Sequence, residues 1–230
     1  SAALVARVLL VAGMMEMFFF LTQFLQEILG YTPIQTGLAF LPLTLALFVM
    51  ARVSAGLMGR VPMRTLMVGG LILSTTGLLL LTRLHADSSY VDLLVPLLLF
   101  GLGNGTAFVP LTAAGLTDVA PADAGAASGL VNVAQQIGGS LGLAILVTIG
   151  SGAASGAARV GSTPEEIAAH AFVVGADRAF LASALFLAAT VVLLAVTIPS
   201  GRRERAAQQA RTDAAEALDL EGELAASSLD

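Results

Sequence analysis

The sequence predicts an all-α integral membrane protein with six transmembrane helices, and three observations carry that prediction. Of 230 residues, 57% are hydrophobic and 12% charged, with a mean hydropathy of +0.88. Soluble domains carry about 25% charged residues. Apolar segments of bilayer length also recur along the chain. Residues 91–117 hold Asp92 near their start and no further charge, and a helix of roughly 20 apolar residues crosses the hydrocarbon core. Finally, the segments are apolar nearly all round, whereas a helix on a soluble core is amphipathic. Spanning strands would read as alternating stretches of about 10 residues; long Leu/Ala/Val/Gly blocks stand here instead.

The first span covers residues 5–28 and carries Glu16 in VAGMMEMFFF. An acid at mid-helix costs roughly 2.5–3.5 kcal/mol on insertion scales. Glu16 must therefore face protein or water, or take up a proton. A place on a substrate or proton pathway and a packing role both fit that constraint. Gln23, seven residues on, shares its helical face, with Thr22 and Gln26 to either side. The second span, 36–57, contains Pro42, which removes a helix hydrogen bond and predicts a kink. Arg52 near its end can snorkel. A tight basic turn, GLMGRVPMR, follows with Arg60 and Arg64, and the third span is 65–82.

The fourth span, 91–117, contains FGLGNGTAFVP. Its G-x-G does not extend to a nucleotide-binding G-x-G-x-x-G, because Thr106 takes the last position and no strand precedes it. Gly101 and Gly105 read instead as a close-packing pair, and Pro110 predicts a second kink. The next loop, TDVAPADAG, holds Asp118 and Asp123. Contacts from these acids to Arg60 and Arg64 would latch one conformation; otherwise both loops are simply solvated. The fifth span, 125–149, repeats Ser128, Asn132, Gln136 and Ser140 every four residues, a polar stripe that belongs against the bundle or an aqueous path. Gly125–Gly129 and Gly138–Gly142 are two further small-xxx-small pairs, expected to pack helices closely.

Residues 150–176 read as a loop, small-residue rich at first. Thr163, Pro164 and Glu166 there form a helix-start signal for a short surface helix over 164–174. The sixth span is 179–199. Residues 1–200 thus make a six-helix bundle, and 201–230 a polar tail, disordered or marginally helical.

Much of the net charge of −5 arises in that tail, with seven acids against four arginines after Ser200, and the remaining body is close to neutral. No basic face suggests nucleic acid. Cysteine is absent, which excludes disulfides and thiolate metal sites. His85 and His170 fall in predicted loops far apart in sequence and do not suggest a metal site. No cofactor is expected, and no convergent set of nucleophiles or acid–base groups suggests an enzyme. The chain starts with Ser1 and no secretory signal, as expected of a piece of something longer. With six spans, one side would hold Arg7, Arg52, Arg60, Arg64, Arg202, Arg203, Arg205 and Arg211, and the other Arg83, Arg159 and Arg178. Excess positive charge marks the cytoplasm, so both termini are expected there and the 150–176 loop outside.

The strings FLQEILGYTPIQTGLAFLP, GLMGRVPMR, LLLFGLGNGTAFVPL and GAASGLVNVAQQIGGSLGLAIL resemble, in order, the C-terminal half of major facilitator superfamily transporters. The branch they most resemble is the fourteen-helix drug:proton antiporters. That resemblance implies one half of the fold, built as two three-helix repeats, with substrate bound between two halves. It implies proton-coupled export of hydrophobic or amphipathic compounds from a bacterial plasma membrane. The partners it implies are an N-terminal half, the lipid bilayer, a small hydrophobic substrate and protons. Glu16, Gln23, Asn132 and Gln136 are then expected along the cleft. Two departures stand out: Arg60 takes the place of an acid in the basic loop motif, and Gln135 that of an arginine in the fifth-span motif. A narrow-substrate metabolite exporter, and a transport-incompetent membrane subunit or fragment, are the alternatives.

Overall fold

The computed structural model describes residues 2–115, 123–157 and 163–197, and the regular elements among them are all helices. Helix α1 is Ala2–Gln23 and runs on as a π-turn over Phe24–Ile28. It stops at Gly30, whose φ of +68° is a left-handed conformation that glycine adopts without strain. Helix α2, Pro33–Ala39, begins with a capping box in which Thr32 and Gln35 satisfy each other's backbone N–H groups, with Pro33 in the first turn. One residue, Phe40, separates it from α3, Leu41–Leu57. Pro42 consequently lies in the first turn of α3, where its missing N–H has no partner to lose. The break expected from this proline falls before it, at Phe40, rather than inside a helix. Gly59, at φ +96°, turns the chain into α4, Met63–Leu81. Helix α5 is Tyr90–Gly115 and holds Pro96 and Pro110 in its interior.

The last two helices differ from expectation. Helix α6 is Ala124–Ala157 and α7 is Pro164–Thr197, each 34 residues long. The predicted loop over 150–176 is mostly helix, and the predicted surface helix over 164–174 is the first part of α7. The helix-start signal was sound: Thr163 N–H donates to Glu166 at 3.1 Å and Glu166 N–H to the Thr163 hydroxyl at 3.2 Å. What it starts is the last span. The physical reason is a close crossing beyond the predicted span ends. A Cβ built on Gly150 would lie 2.9 Å from the Gly175 carbonyl oxygen, so only a glycine pair lets α6 and α7 run on together. At 1.5 Å per residue each helix is about 50 Å long, well beyond a hydrocarbon core of about 30 Å. The tail expected over 201–230 lies outside the described residues.

Six spans result: Leu4–Ile28, Pro33–Leu57, Met63–Leu81, Tyr90–Gly115, Gly125–Gly156 and Glu166–Thr197. Helices α1 and α5 form the centre and touch each other. Helix α5 packs against α3 and α4; α1 packs against α6 and α7; α4 and α7 join the two sets. Exchanging α1 with α5, α3 with α6 and α4 with α7 maps this contact pattern onto itself, the signature of two three-helix repeats. The match is incomplete, because α6 also packs along α7 while α3 and α4 scarcely meet. Leu10, Met17, Leu71, Leu97, Phe100 and Leu187 fill the interior. Outward-facing side chains are apolar as well: Phe48 is 67% and Val196 79% exposed. An apolar exterior of this extent is suited to hydrocarbon rather than water.

Candidate functional site

Helix α1 is held on both flanks by small-residue contacts. A Cβ on Gly138 of α6 would collide with Val8, and one on Gly142 with Ala12. On the other flank a Cβ on Gly13 would lie 3.3 Å from the Ser183 hydroxyl of α7. Glu16, one turn along, is fully buried. Ser183 is a polar side chain beside it, yet neither carboxylate oxygen nor the Ser183 hydroxyl closes a hydrogen bond among the described residues. Towards the far end Phe20 meets Phe180 edge-on and Phe172 at a tilt, with ring centroids 6.0 and 6.2 Å apart. Glu16, expected along the cleft or in a packing role, is covered within this chain on the side of α1 that meets α7. An all-round apolar helix does not reveal from sequence which of its faces is covered.

The four residues expected along one pathway are not brought together. Gln23 is half-buried near the end of α1, while Asn132 and Gln136 are exposed on α6. Ser128 and Ser140 are exposed too, as are Leu130, Val133, Ile137 and Leu141 around them. The whole stripe thus lies on a face that the described residues leave uncovered. Gln135 turns inward and its side chain donates to the Val131 carbonyl at 3.3 Å.

The glycine pairs divide the same way. Gly101 and Gly105 pack against the Leu43 and Leu47 carbonyls of α3, and Gly138 and Gly142 against α1, as their spacing predicts. A Cβ on Gly125 or Gly129 would meet nothing within 4 Å. Those two form no packing seam among the described residues, unlike the other two pairs. In the basic turn Arg60 is exposed, whereas Arg64 donates to the Ala195 carbonyl and ties the turn to the end of α7. Arg64 is thus not merely solvated. Asp123 is exposed and Asp118 lies outside the described residues.

Two buried polar groups escaped the sequence reading. Arg7, taken only as an orientation charge, is buried: its Nη1 donates to the Phe108 carbonyl at 3.3 Å and its guanidinium lies 4.1 Å above the Phe108 ring. This clasp joins the two central helices. Asn104 is 1% exposed and its Nδ2 has no partner among the described residues. The signal for it was present, a lone amide in a long apolar helix, which by the rule applied to Glu16 marks a functional candidate.

Six apolar spans in two related sets of three, with polar groups buried among them, define an integral membrane protein of transporter architecture. A family model described as Major Facilitator Superfamily matches residues 2–143, and the chain belongs to that superfamily. The chain is similar to the puromycin resistance protein pur8 of Streptomyces alboniger, with 46% identity over 145 residues, 61% of this chain and 29% of that protein. The cephamycin export protein CmcT of Amycolatopsis lactamdurans is 37% identical over 187 residues, 80% of this chain and 36% of its own length. The tetracenomycin C resistance and export protein of Streptomyces glaucescens is 37% identical over 151 residues, 64% of this chain and 27% of its own. The chain thus spans about a third or less of the length of the curated relatives it matches.

Proposed function

We propose that the chain forms the C-terminal half of a proton-coupled exporter of hydrophobic or amphipathic compounds, working by alternating access against an N-terminal half. The resistance and export proteins it resembles support the substrate class, and their greater length supports a partner half. The uncovered stripe on α6 supports a polar surface facing that partner, with Asn132 and Gln136 towards the substrate. Exposing such groups to lipid would be costly.

The observation that carries proton coupling is Glu16, a fully buried carboxyl with a single hydroxyl, that of Ser183, beside it and no charged partner closing a hydrogen bond to it among the described residues. In hydrocarbon a carboxyl must hold a proton or reach water or a partner. A conformational change that alters water access at Glu16 therefore changes proton occupancy, which is the link a coupled carrier requires. A subunit built only as a scaffold would be expected to satisfy such a group. The test is Glu16→Gln in the intact transporter. Efflux of ethidium driven by a pH gradient should fall to background with expression near wild type. Unchanged efflux with an unchanged pH profile would make Glu16 structural.

The arginine distribution supports cytoplasmic termini, with the α6–α7 junction outside. Because the chain has no cysteine, a single Ser155→Cys change reports on topology. Ser155 is exposed near the end of α6. An impermeant maleimide should label it in intact cells; labelling only after permeabilisation reverses the orientation.

A further inference from the structure

At the end of the bundle where α1 closes, the segment after α4 and the first turns of α7 enclose a cavity of about 260 Å³. Its lining mixes apolar Leu84, Val173 and Val174 with polar His85, His170 and Asp177, and His170, Val173, Val174 and Asp177 share one face of α7. The two histidines, far apart in sequence, thus meet in one place, and His170 lies in α7 rather than in a loop. A wider groove of about 540 Å³ adjoins it, sharing Leu84 and His85 and adding Arg83, Asp87 and Asp92 among others. Together they reach the size of ordinary small-molecule sites, concave, mostly apolar and fixed by a few polar groups.

The polar groups select a ligand class. Asp177 is partly exposed, and its ion pair with Arg178 is long at 4.0 Å, with the Arg178 side chain 58% exposed. An exposed pair of that geometry holds its partners weakly, so Asp177 can serve a second cation. A carboxylate accepts charge-assisted hydrogen bonds from an ammonium group, which has three donors to place. Each neutral imidazole offers one further acceptor nitrogen. In the adjoining groove Asp87 and Asp92 outnumber Arg83, although Asp92 is already engaged by the Ser89 N–H at 2.8 Å. An anion would meet Asp177 at close range, whereas an alkyl or aryl group fits against Leu84, Val173 and Val174.

We propose that this cavity binds a primary ammonium group carried on an apolar chain or ring. The bearer is either an aminophospholipid headgroup, since Leu84 and His85 lie just beyond the end of the third apolar span at Leu81, or a free lipophilic amine. The proposal uses neither Glu16 nor the transport cycle, so it stands or falls apart from the function proposed above.

The test is equilibrium binding of dansylcadaverine, a fluorescent primary amine, to the full chain in phosphatidylcholine nanodiscs, with empty nanodiscs subtracted. Saturable binding is expected, displaced by octylamine and not by octanol. Asp177→Asn should weaken it about tenfold, the loss of one charge-assisted bond, while Asp177→Glu restores it. Replacing His85 and His170 together by alanine should weaken it as well, and Arg52→Gln on α3 should not. Equal binding by Asp177→Asn, or displacement by octanol as effective as by octylamine, would overturn the site. Adding phosphatidylethanolamine to the nanodiscs separates the bearers. Weaker dye binding there identifies the headgroup as occupant, and equal binding identifies the free amine; either supports an ammonium site.

Discussion

Helices α5 and α6 have similar sequences, long, apolar and dotted with glycine, but the spanning stretch of α5 is 61% buried and that of α6 22%. The glycines of α5 are used on two sides at once. Gly101 and Gly105 admit α3, and Gly103 admits Ser74 and Gly70 of α4. In α6 one pair, Gly138 and Gly142, admits α1, while Gly125 and Gly129 face open space. Small residues at helical spacing therefore record a capacity for close approach. They do not record whether the partner lies in the same chain.

The largest expected effect tests the central position of α5. A Cβ on Gly105 would collide with the Leu47 carbonyl, a backbone atom that cannot swing aside. Gly105→Leu should abolish recovery of monodisperse protein in mild detergent, since overpacking of this kind costs about 1–3 kcal/mol or more. Recovery near wild type would break the contrast, because α5 would then tolerate what only a lipid-facing helix tolerates.

A smaller effect is expected at Gly138. The atoms a Cβ would meet there belong to the side chain of Val8, which can rotate or shift with α1. Gly138→Leu should lower the amount of folded protein and its thermal midpoint in detergent, but less than Gly105→Leu. Unaltered thermal stability would mean that the seam between α1 and α6 is loose, and would leave Glu16 with less support than its burial indicates.

The spans were legible because bilayer-length apolar runs are set by membrane thickness, not by tertiary detail. Their ends at 150 and 176 were not, because Gly and Ser lower helix propensity locally while the contact between Gly150 and Gly175 restores the helices from a distance. The depth of Glu16 could be read from its position, but not its facing, since its neighbours are apolar on all sides. Arg7, three residues into its predicted span, read only as an orientation charge; only the packing of α1 on α5 sets it over Phe108. The stripe on α6 was visible as a pattern. What it faces depends on chain beyond the repeat that carries it.

The smallest effect discriminates most sharply between a lipid face and a partner face. Gly129 lies on α6 among exposed residues, and a Cβ there meets nothing within 4 Å. Gly129→Leu should change the stability of this chain by no more than about 0.5 kcal/mol, as for surface sites without special contacts. A leucine exchanges a strained-free glycine for a good helix former, so a slight gain is as acceptable as a slight loss. If α6 borders lipid, nothing else follows, since one more apolar side chain suits hydrocarbon. If α6 faces a second helical half, the same leucine occupies the space where that half approaches. Co-expression with the N-terminal half of a relative such as the puromycin resistance protein, followed by affinity capture of one piece, reads the difference. Loss of capture with unchanged stability is expected. Undiminished capture would assign this end of α6 to lipid and move the partner surface elsewhere, with α3 and its exposed Leu45 and Phe48 the remaining face.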